Sequence, residues 1–516
     1  MADAGVSQHA RAKFGRQARA SARPMIAGSV TVAIYCLQTL ARSEFPFGSR
    51  SNQVNDLGTQ VVPFVAEYAR ILNGTSGLSS LEWTWTLGLG APFLSTYATY
   101  LANPLFLVVV LFGPSGAELA VAVATIAALG LAAASIAVLL QRLAPEGSAW
   151  LQVLLAACYG LSAWAVNDAN YFPVWLWGLI AFPWLVMAAH WTMNNRCFML
   201  GVVVVALAWW GNYYTAFMAS VGAGIVLVTM LIAEARPWRR CLHAFFTFLL
   251  QGILGVGVTS VILLPTIAQV QRATEQKGAV PVDLTLPRLI SHLLPMTEAV
   301  SASPSFFVGS ATLLLAISLL GQSRRSLRFR LAWMGSIAAT VMSMGTDWGL
   351  WIWNGFDTPN GSLWRSAFVV SGMLVISAAY TGASLATVRW WGWLGAAVAV
   401  SAIGIITATR PWTGALHPSA FLFAGASALL LVLLAMSTSA ARRRATTIIL
   451  CLATALELAV TAAYIVEQRN AILPPASLRS DGGAAESLRK DALTATAWPI
   501  HRVGFPNELS DPNAGA

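Results

Sequence analysis

Asp56 and Gln60 are the first residues in this sequence whose types and spacing could do chemistry. They stand one helical turn apart in "SRSNQVNDLGTQVVPF", residues 49–64. A carboxylate can take a proton from a hydroxyl group, and an amide four residues later can reach it on one face of a helix. The pair therefore predicts a general base with an orienting neighbour. A loop carboxylate that simply faces water is the alternative.

Two more polar groups interrupt apolar stretches. Asp168 lies in "WAVNDANYFPVWLW", and Asn212 and Tyr213 lie in "WWGNYYTAF". Either group could line a substrate cavity. A turn or helix-cap role explains Asp168 and Asn212 equally well, and a tyrosine at a membrane interface needs no substrate.

Several basic residues are further candidates for the site. Arg365 follows a turn in "NGFDTPNGSLWRSAF", and Arg272 and Lys277 lie in another loop. A guanidinium binds phosphate through two parallel hydrogen bonds. Together with the carboxylates and amides, these residues suit general-base catalysis with a phosphate leaving group.

Motifs of other chemistries are absent from the sequence. It contains no P-loop, zinc motif, nucleophile elbow or dinucleotide fingerprint, and its five cysteines lack metal-ligand spacing. We therefore expect no cofactor and no metal site, although a divalent metal is not excluded.

Composition predicts the scaffold of these residues. The chain is 57% hydrophobic and 10% charged, with a mean hydropathy of +0.66, whereas soluble domains carry about 25% charged residues. This predicts an all-α polytopic membrane protein. The thirteen predicted spans are 25–42, 118–141, 150–166, 172–190, 197–212, 215–233, 242–264, 305–321, 330–346, 364–386, 390–408, 418–438 and 445–466. Residues 104–112 are too short to span and are predicted to be re-entrant or interfacial.

Charge distribution predicts the orientation. With a cytoplasmic N-terminus, residues 1–24, the cytoplasmic segments hold 18 of the 31 basic residues, as the positive-inside rule requires. The basic N-terminal segment could belong to a signal peptide, but without a clear cleavage site we expect an uncleaved first helix.

The positive charge of the chain is then an orientation signal, and no nucleic-acid partner is expected. The long loops 43–117, 265–304 and 347–363 fall outside, so we expect the site to be extracytoplasmic.

The first loop, residues 43–117, is rich in aromatic residues. Its stretch "VVPFVAEYARIL" has the periodicity of an amphipathic helix lying in the membrane interface. Trp83, Trp85, Tyr97 and Tyr100 fit an aromatic belt. Such a loop suits a lipid-linked substrate, but simple interfacial anchoring explains the aromatic residues equally well.

Five ordered motifs resemble the YfhO family of bacterial membrane proteins, which is related to the glycosyltransferase C (GT-C) superfamily. They are "FPFGSRSNQVNDLGTQVVPF", "GLGAPFLSTYATYLANPL", "NYYTAFM", "LLPTIAQVQRAT" and "PNGSLWRSAFVVSG". The resemblance covers roughly residues 25–466, the expected transmembrane domain. This chain departs from the family pattern after Asn167, where "VWLWGL" stands in place of an aromatic-Leu-Asp pattern.

The resemblance implies glycosyl transfer outside the bacterial cytoplasmic membrane, from a polyprenyl-monophosphate sugar to a cell-envelope glycan or teichoic-acid-like acceptor. It implies that Asp56 is the base of an inverting displacement. Gln60, Asp168, Asn212, Tyr213, Arg272, Lys277 and Arg365 would bind substrate. Partner enzymes that make the donor and a flippase that supplies it would be needed.

Two other functions remain open from the sequence. A transporter or flippase of a lipid-linked glycan would also use external arginines and interfacial aromatic residues, although it would be expected to show internal repeats. A non-catalytic envelope assembly factor could keep the fold without the activity. The tail, residues 467–516, is rich in Ala, Ser, Pro and charge. It is expected to be a poorly ordered extracytoplasmic segment or the start of a truncated soluble domain.

Overall fold

A computed structural model describes residues 2–85, 90–271, 285–297, 304–357, 361–408 and 419–472, with side chains from residue 22 onwards. Within these ranges the chain is helical and contains isolated β-bridges but no strand. The helices, in chain order, are α1 (Ala2–Ala41), α2 (Val62–Leu72), α3 (Phe93–Thr96), α4 (Val109–Phe112), α5 (Ala117–Leu143), α6 (Ala149–Gly160), α7 (Ala163–Asn167), α8 (Leu176–Met193), α9 (Phe198–Gly211), α10 (Tyr213–Ala233), α11 (Trp238–Val270), α12 (Leu286–Ser291), α13 (Ser310–Ser318), α14 (Leu327–Ser343), α15 (Asp347–Trp353), α16 (Phe368–Gly382), α17 (Trp390–Ala408), α18 (Ser419–Met436) and α19 (Ala440–Ile472).

The all-helical membrane architecture is confirmed, but the count of thirteen spans is not. Among the described residues, nine helices are long and apolar enough to cross a bilayer. The predicted spans 197–212, 305–321 and 364–386 coincide with shorter apolar helices. The span 330–346 coincides with α14, which has 17 residues and carries Arg328 and Arg330. Among the described residues, length and composition therefore support nine crossings, or ten if the bent pair Phe93–Leu101 and Pro104–Phe112 forms one span.

Small residues let the first helices pack closely. A Cβ atom placed on Gly28 of α1 would lie 2.9 Å from the Gly130 carbonyl oxygen of α5. Glycine at both positions therefore brings the two backbones together, as is common where membrane helices associate. By contrast, α11 exposes a row of large apolar side chains such as Ile253, Val258 and Val261, which is typical of a lipid-facing surface.

The segment 104–112 is part of a bent pair. Residues Phe93–Leu101 and Pro104–Phe112 are helical and meet at an angle of 101°. Asn103 lies at the bend, where its side-chain oxygen accepts a hydrogen bond from the Leu105 amide at 3.0 Å. A bend this sharp fits either a broken span or a re-entrant segment, and the second is what the sequence predicts for residues 104–112.

An extended segment, residues 304–309, leads into α13 from inside the bundle. The buried carboxylate of Glu457, on α19, accepts a hydrogen bond from the Ser310 amide at 3.1 Å and another from the Ser310 hydroxyl. Gly309 has no side chain with which to cap α13, so Glu457 satisfies the first amide of this helix. The same extended segment carries Ser305, whose hydroxyl accepts a hydrogen bond from Asn167 at 3.0 Å.

We expect Glu457→Ala to lower the free energy of unfolding by about 2 kcal/mol, because it leaves a buried amide and hydroxyl of Ser310 without their acceptor. Glu467→Ala is the matched control on the same helix. Its carboxylate is 57% exposed and pairs with Arg42 at 3.2 Å, so its loss should cost less than about 1 kcal/mol. Unfolding of the purified protein in detergent measures both. Equal effects of the two changes would contradict the capping role of Glu457.

Candidate functional site

Asp56 and Gln60 are in contact, as their spacing predicts. The Gln60 side-chain amide donates to the Asp56 carboxylate at 3.0 Å. A five-residue π-helical turn, Leu57–Val61, follows Asp56, and its Leu57 and Val61 side chains are buried. Burial of Leu57 and Val61 anchors this turn. The side chains of Asp56 and Gln60 therefore keep a defined position on its half-buried face.

Tyr100 extends this pair into the bundle. Its hydroxyl donates to the side-chain oxygen Oε1 of Gln60 at 2.9 Å, so the Gln60 side chain links Tyr100 to Asp56. The ring of Tyr100 meets Phe64 edge-on at 4.9 Å and Phe172 at 5.5 Å. Phe172 in turn contacts Trp175 at 4.6 Å. These four residues, Phe64, Tyr100, Phe172 and Trp175, are called the aromatic row below.

Arg365 lies at the other end of the aromatic row. Its guanidinium carbon is 4.8 Å from the centre of the Trp175 ring and 5.2 Å from the centre of the Tyr214 ring. Cation–π contacts of this kind hold a guanidinium in place and fix the plane of its donors. Arg365 is therefore positioned by stacking before any ligand is bound.

Asn354 fixes the chain segment that carries Arg365. Its side-chain oxygen accepts a hydrogen bond from the Tyr214 hydroxyl at 2.8 Å, and its amide donates to the Leu363 carbonyl at 3.0 Å. One residue before Arg365, the Trp364 indole donates to the Met344 carbonyl at 2.8 Å. These contacts make the turn before α16 rigid.

A continuous series of contacts joins the two halves of the site. Gln60 bonds to both Asp56 and Tyr100, and the aromatic row connects Tyr100 to Arg365. A carboxylate from the first loop and a guanidinium from residues 361–367 are therefore linked through Tyr100, although more than 300 positions separate them in the sequence. Such a site can accept a proton at one end and receive an anion at the other.

Asp168 is fully buried against the segment that carries Arg365. Its carboxylate accepts a hydrogen bond from the Ser362 hydroxyl at 3.3 Å, and only 1% of the residue is exposed. Burial raises the pKa of Asp168 from 3.8 to about 7, while Ser362, Ser305 and Arg365 oppose the rise. The sequence left a turn or helix-cap role open for Asp168. The structure buries its carboxylate, because the turn after α7 packs against residues 304–309 and 361–366.

This shift predicts a pH-dependent stability. Because the folded state keeps the Asp168 proton that the unfolded chain has released, stability falls as pH rises from about 4 toward 7 and is level above that. Between pH 5 and 7 this amounts to at most about 2–3 kcal/mol. Asp168→Asn should remove this slope, whereas Asp347→Asn, at an exposed position on α15, should keep it. Unfolding of the three proteins across this pH range measures the difference, and identical slopes would contradict the account.

Asn212 and Tyr213 join the first loop to α10. The Asn212 amide nitrogen donates to the Thr99 carbonyl at 2.9 Å, and its oxygen caps α10 by accepting from the Thr215 amide at 2.9 Å. The Tyr213 hydroxyl lies 3.4 Å from that of Thr99. Asn212 thus holds the bent pair, and with it Tyr100, against the start of α10.

The remaining predicted residues fall elsewhere. Arg272 and Lys277 lie outside the described residues. In the part of the chain that is described, no three His, Cys, Asp or Glu side chains group as metal ligands would. The sequence analysis did not select Phe172, Trp175, Asn354, Ser305 or Ser362. Of these, only Phe172 and Trp175 carried a signal, as aromatic residues directly after Asp168.

These features define a polytopic helical membrane protein with a carboxylate, an arginine and an aromatic row at one end of its bundle. The sequence profile described as "Bacterial membrane protein YfhO" matches residues 29–506. The chain therefore belongs to this family of bacterial membrane proteins, and the match runs further toward the C-terminus than the motifs in the sequence indicated.

A second comparison concerns solved structures. The chain is similar to the oligosaccharyltransferase of Archaeoglobus fulgidus, in its apo form, with 12% sequence identity and a TM-score of 0.40. The alignment covers 87% of this chain and 56% of the oligosaccharyltransferase, so the chain spans little more than half the length of that protein. No curated protein matches the chain.

Proposed function

We propose that this protein is a membrane glycosyltransferase of the GT-C type. It would move a sugar from a polyprenyl-monophosphate carrier to a hydroxyl group of a cell-envelope glycan or a teichoic-acid-like polymer. The observation that supports this most directly is the series of contacts that links Asp56 through Gln60 and Tyr100 to the aromatic row and Arg365. A proton acceptor and a phosphate-binding cation would then serve the same site.

The proposed reaction is a single displacement at the sugar C1 carbon. The Asp56 carboxylate removes the proton of the acceptor hydroxyl, and the hydroxyl oxygen forms a bond to C1. The bond between C1 and the carrier phosphate oxygen breaks, and polyprenyl phosphate leaves with that electron pair. Attack from the face opposite the leaving group inverts the configuration at C1. The proton on Asp56 then passes to water.

Arg365 would stabilise the charge that develops on the departing phosphate. A guanidinium already held by Trp175 and Tyr214 needs little reorganisation, which is the condition for electrostatic stabilisation of a transition state. Arg272 or Lys277 would assist Arg365 in neutralising this charge. This chemistry requires no metal ion in the proposed reaction.

Gln60 and Tyr100 would keep the base in position. The hydrogen bonds from Tyr100 to Gln60 and from Gln60 to Asp56 orient the carboxylate toward the acceptor. Asn212 and Tyr213 would hold the first loop, and Asp168 would hold the segment that carries Arg365 through its hydrogen bond with Ser362. The aromatic row offers apolar faces for the sugar or for the first isoprene units of the carrier.

The protein would act in the bacterial cytoplasmic membrane with its N-terminus in the cytoplasm and this site outside. Donor synthesis occurs in the cytoplasm in such a scheme, so a donor-forming transferase and a flippase would be its partners. The 18 basic residues on the predicted cytoplasmic side support this orientation.

Purified protein in lipid nanodiscs tests the reaction. It would be incubated with a panel of polyprenyl-phosphate sugars and envelope polymers prepared from a strain that lacks the protein. Release of free polyprenyl phosphate together with a mass gain of the polymer supports the transferase. Movement of the lipid-linked sugar across vesicle membranes without either product would instead favour a flippase.

A further inference from the structure

The bundle has a second polar recess at its other end. The helices α8, α10 and α16 all begin near the candidate site, and their last residues reach this recess. The helix α10 has 21 residues, so the two sites lie about 30 Å apart. The recess, called the basic recess below, therefore cannot belong to the candidate active site.

Five helices surround the basic recess. The helix α5 contacts α8, α8 contacts α10, α10 contacts α14, α14 contacts α16, and α16 contacts α5, so the ring is closed. The recess has a cavity volume of about 320 Å³, which falls within the size range of small-ligand sites. Because helices surround the recess on all sides, its opening faces along the bundle axis, toward the end that carries the basic clusters of the sequence.

Positive charge dominates the lining. Arg142, Arg324 and Arg325 line the cavity together with His190 and Glu234. Glu234 is paired with Arg236 at 2.7 Å, so its charge is already neutralised. Arg324 approaches Glu146 at 3.8 Å, but both side chains are more than 60% exposed, so this pair is weak.

Two aromatic rings hold the Arg325 guanidinium in place at the recess. Its guanidinium lies 4.8 Å from the Phe329 ring centre and 5.1 Å from that of Tyr380. No hydrogen bond or ion pair of Arg142 or Arg325 occurs within the described ranges of the chain. A cation that only marks membrane orientation needs no such arrangement, because orientation depends on the number of basic residues near the span ends.

A helix end adds to the positive potential. The helix α14 begins at Leu327, and its cap residue Ser326 lines the cavity and accepts a hydrogen bond from the Phe329 amide at 3.2 Å. The amino end of a 17-residue helix favours an anion. The guanidinium groups supply the parallel donors that fit phosphate oxygens.

We propose that the basic recess is a binding site for a phosphate group, held by Arg142 and Arg325 at the end of the bundle opposite the candidate active site. The phosphate could belong to the headgroup of an anionic lipid, since basic pockets between membrane helices bind such headgroups, or to a small soluble molecule, since a guanidinium binds the phosphate group of either source. The recess has no role in the proposed transfer reaction, so its test does not depend on that proposal.

Thermal unfolding of the full-length protein in neutral detergent tests the soluble source. Sodium phosphate would be titrated against sodium chloride at matched ionic strength. We expect a saturable stabilisation by phosphate, and at least about 10-fold weaker binding in Arg142→Gln and in Arg325→Gln. Arg328→Gln is the matched control, since Arg328 is exposed and does not line the cavity.

Nanodiscs test the lipid source. The same proteins would be compared in phosphatidylcholine with and without phosphatidylglycerol, and stabilisation by the anionic lipid should depend on the same two arginines. Arg325→Lys keeps the positive charge but loses the paired donors of the guanidinium. This variant should fold normally and bind phosphate several-fold more weakly. The proposal is overturned if neither phosphate nor phosphatidylglycerol stabilises the wild-type protein. It is also overturned if Arg328→Gln responds like the recess variants.

Discussion

Asp56→Asn is expected to reduce the rate of sugar transfer by about 10²–10⁴-fold, the usual contribution of a general base. Asparagine has nearly the size of aspartate and can still bond to Gln60, so the site should keep its shape. Only the ability to take the acceptor proton is lost. The rate of polyprenyl phosphate release by purified protein measures this effect.

Glu82→Gln is the matched control for Asp56→Asn. Glu82 lies on the same loop, is exposed, and should tolerate the change without loss of rate. Asp56→Glu should recover part of the activity, because it keeps a base but moves it by one methylene. A full rate in Asp56→Asn would remove Asp56 from the reaction.

Arg365→Gln is expected to lower kcat by about 10²-fold or more, since it removes a preorganised cation from the developing phosphate charge. Arg365→Lys should lose less, because it keeps the charge but not the bidentate donors or the stacking on Trp175 and Tyr214. The loss should appear mainly in kcat, which separates transition-state stabilisation from simple donor binding.

Arg50→Gln is the control for Arg365→Gln. Arg50 is half exposed and its pair with Glu467, at 3.7 Å, is a surface contact of little energetic weight. Its removal should leave kcat and KM unchanged. An equal loss in both variants would mean that the site depends on general positive charge and not on the stacked guanidinium.

Local features of the site could be predicted from the sequence. The four-residue spacing of Asp56 and Gln60 predicted their contact, and the hydrogen bond at 3.0 Å agrees with it. The helical membrane scaffold followed from composition and apolar length. The contact and the scaffold depend on residues that are close together in the sequence, so local spacing and periodicity predict them.

Long-range features could not be predicted. The stacking of Arg365 on Trp175 and Tyr214 joins three segments that are far apart in sequence, and periodicity does not tell which helices are neighbours. Burial of Asp168 depends in the same way on two distant segments that cover its turn. The count of thirteen spans was uncertain for another reason, since helices shorter than a bilayer can complete a bundle when they pack against longer ones.

The central claim is that Asp56 is the base of a sugar transfer to the cell envelope. Mass spectrometry of envelope glycans tests it most directly, in a deletion strain complemented with wild-type protein, Asp56→Asn or Glu82→Gln at equal membrane levels. We predict that one sugar is missing from the deletion strain and from the Asp56→Asn complement, and is restored by the other two proteins. Restoration of that sugar by Asp56→Asn would contradict the account.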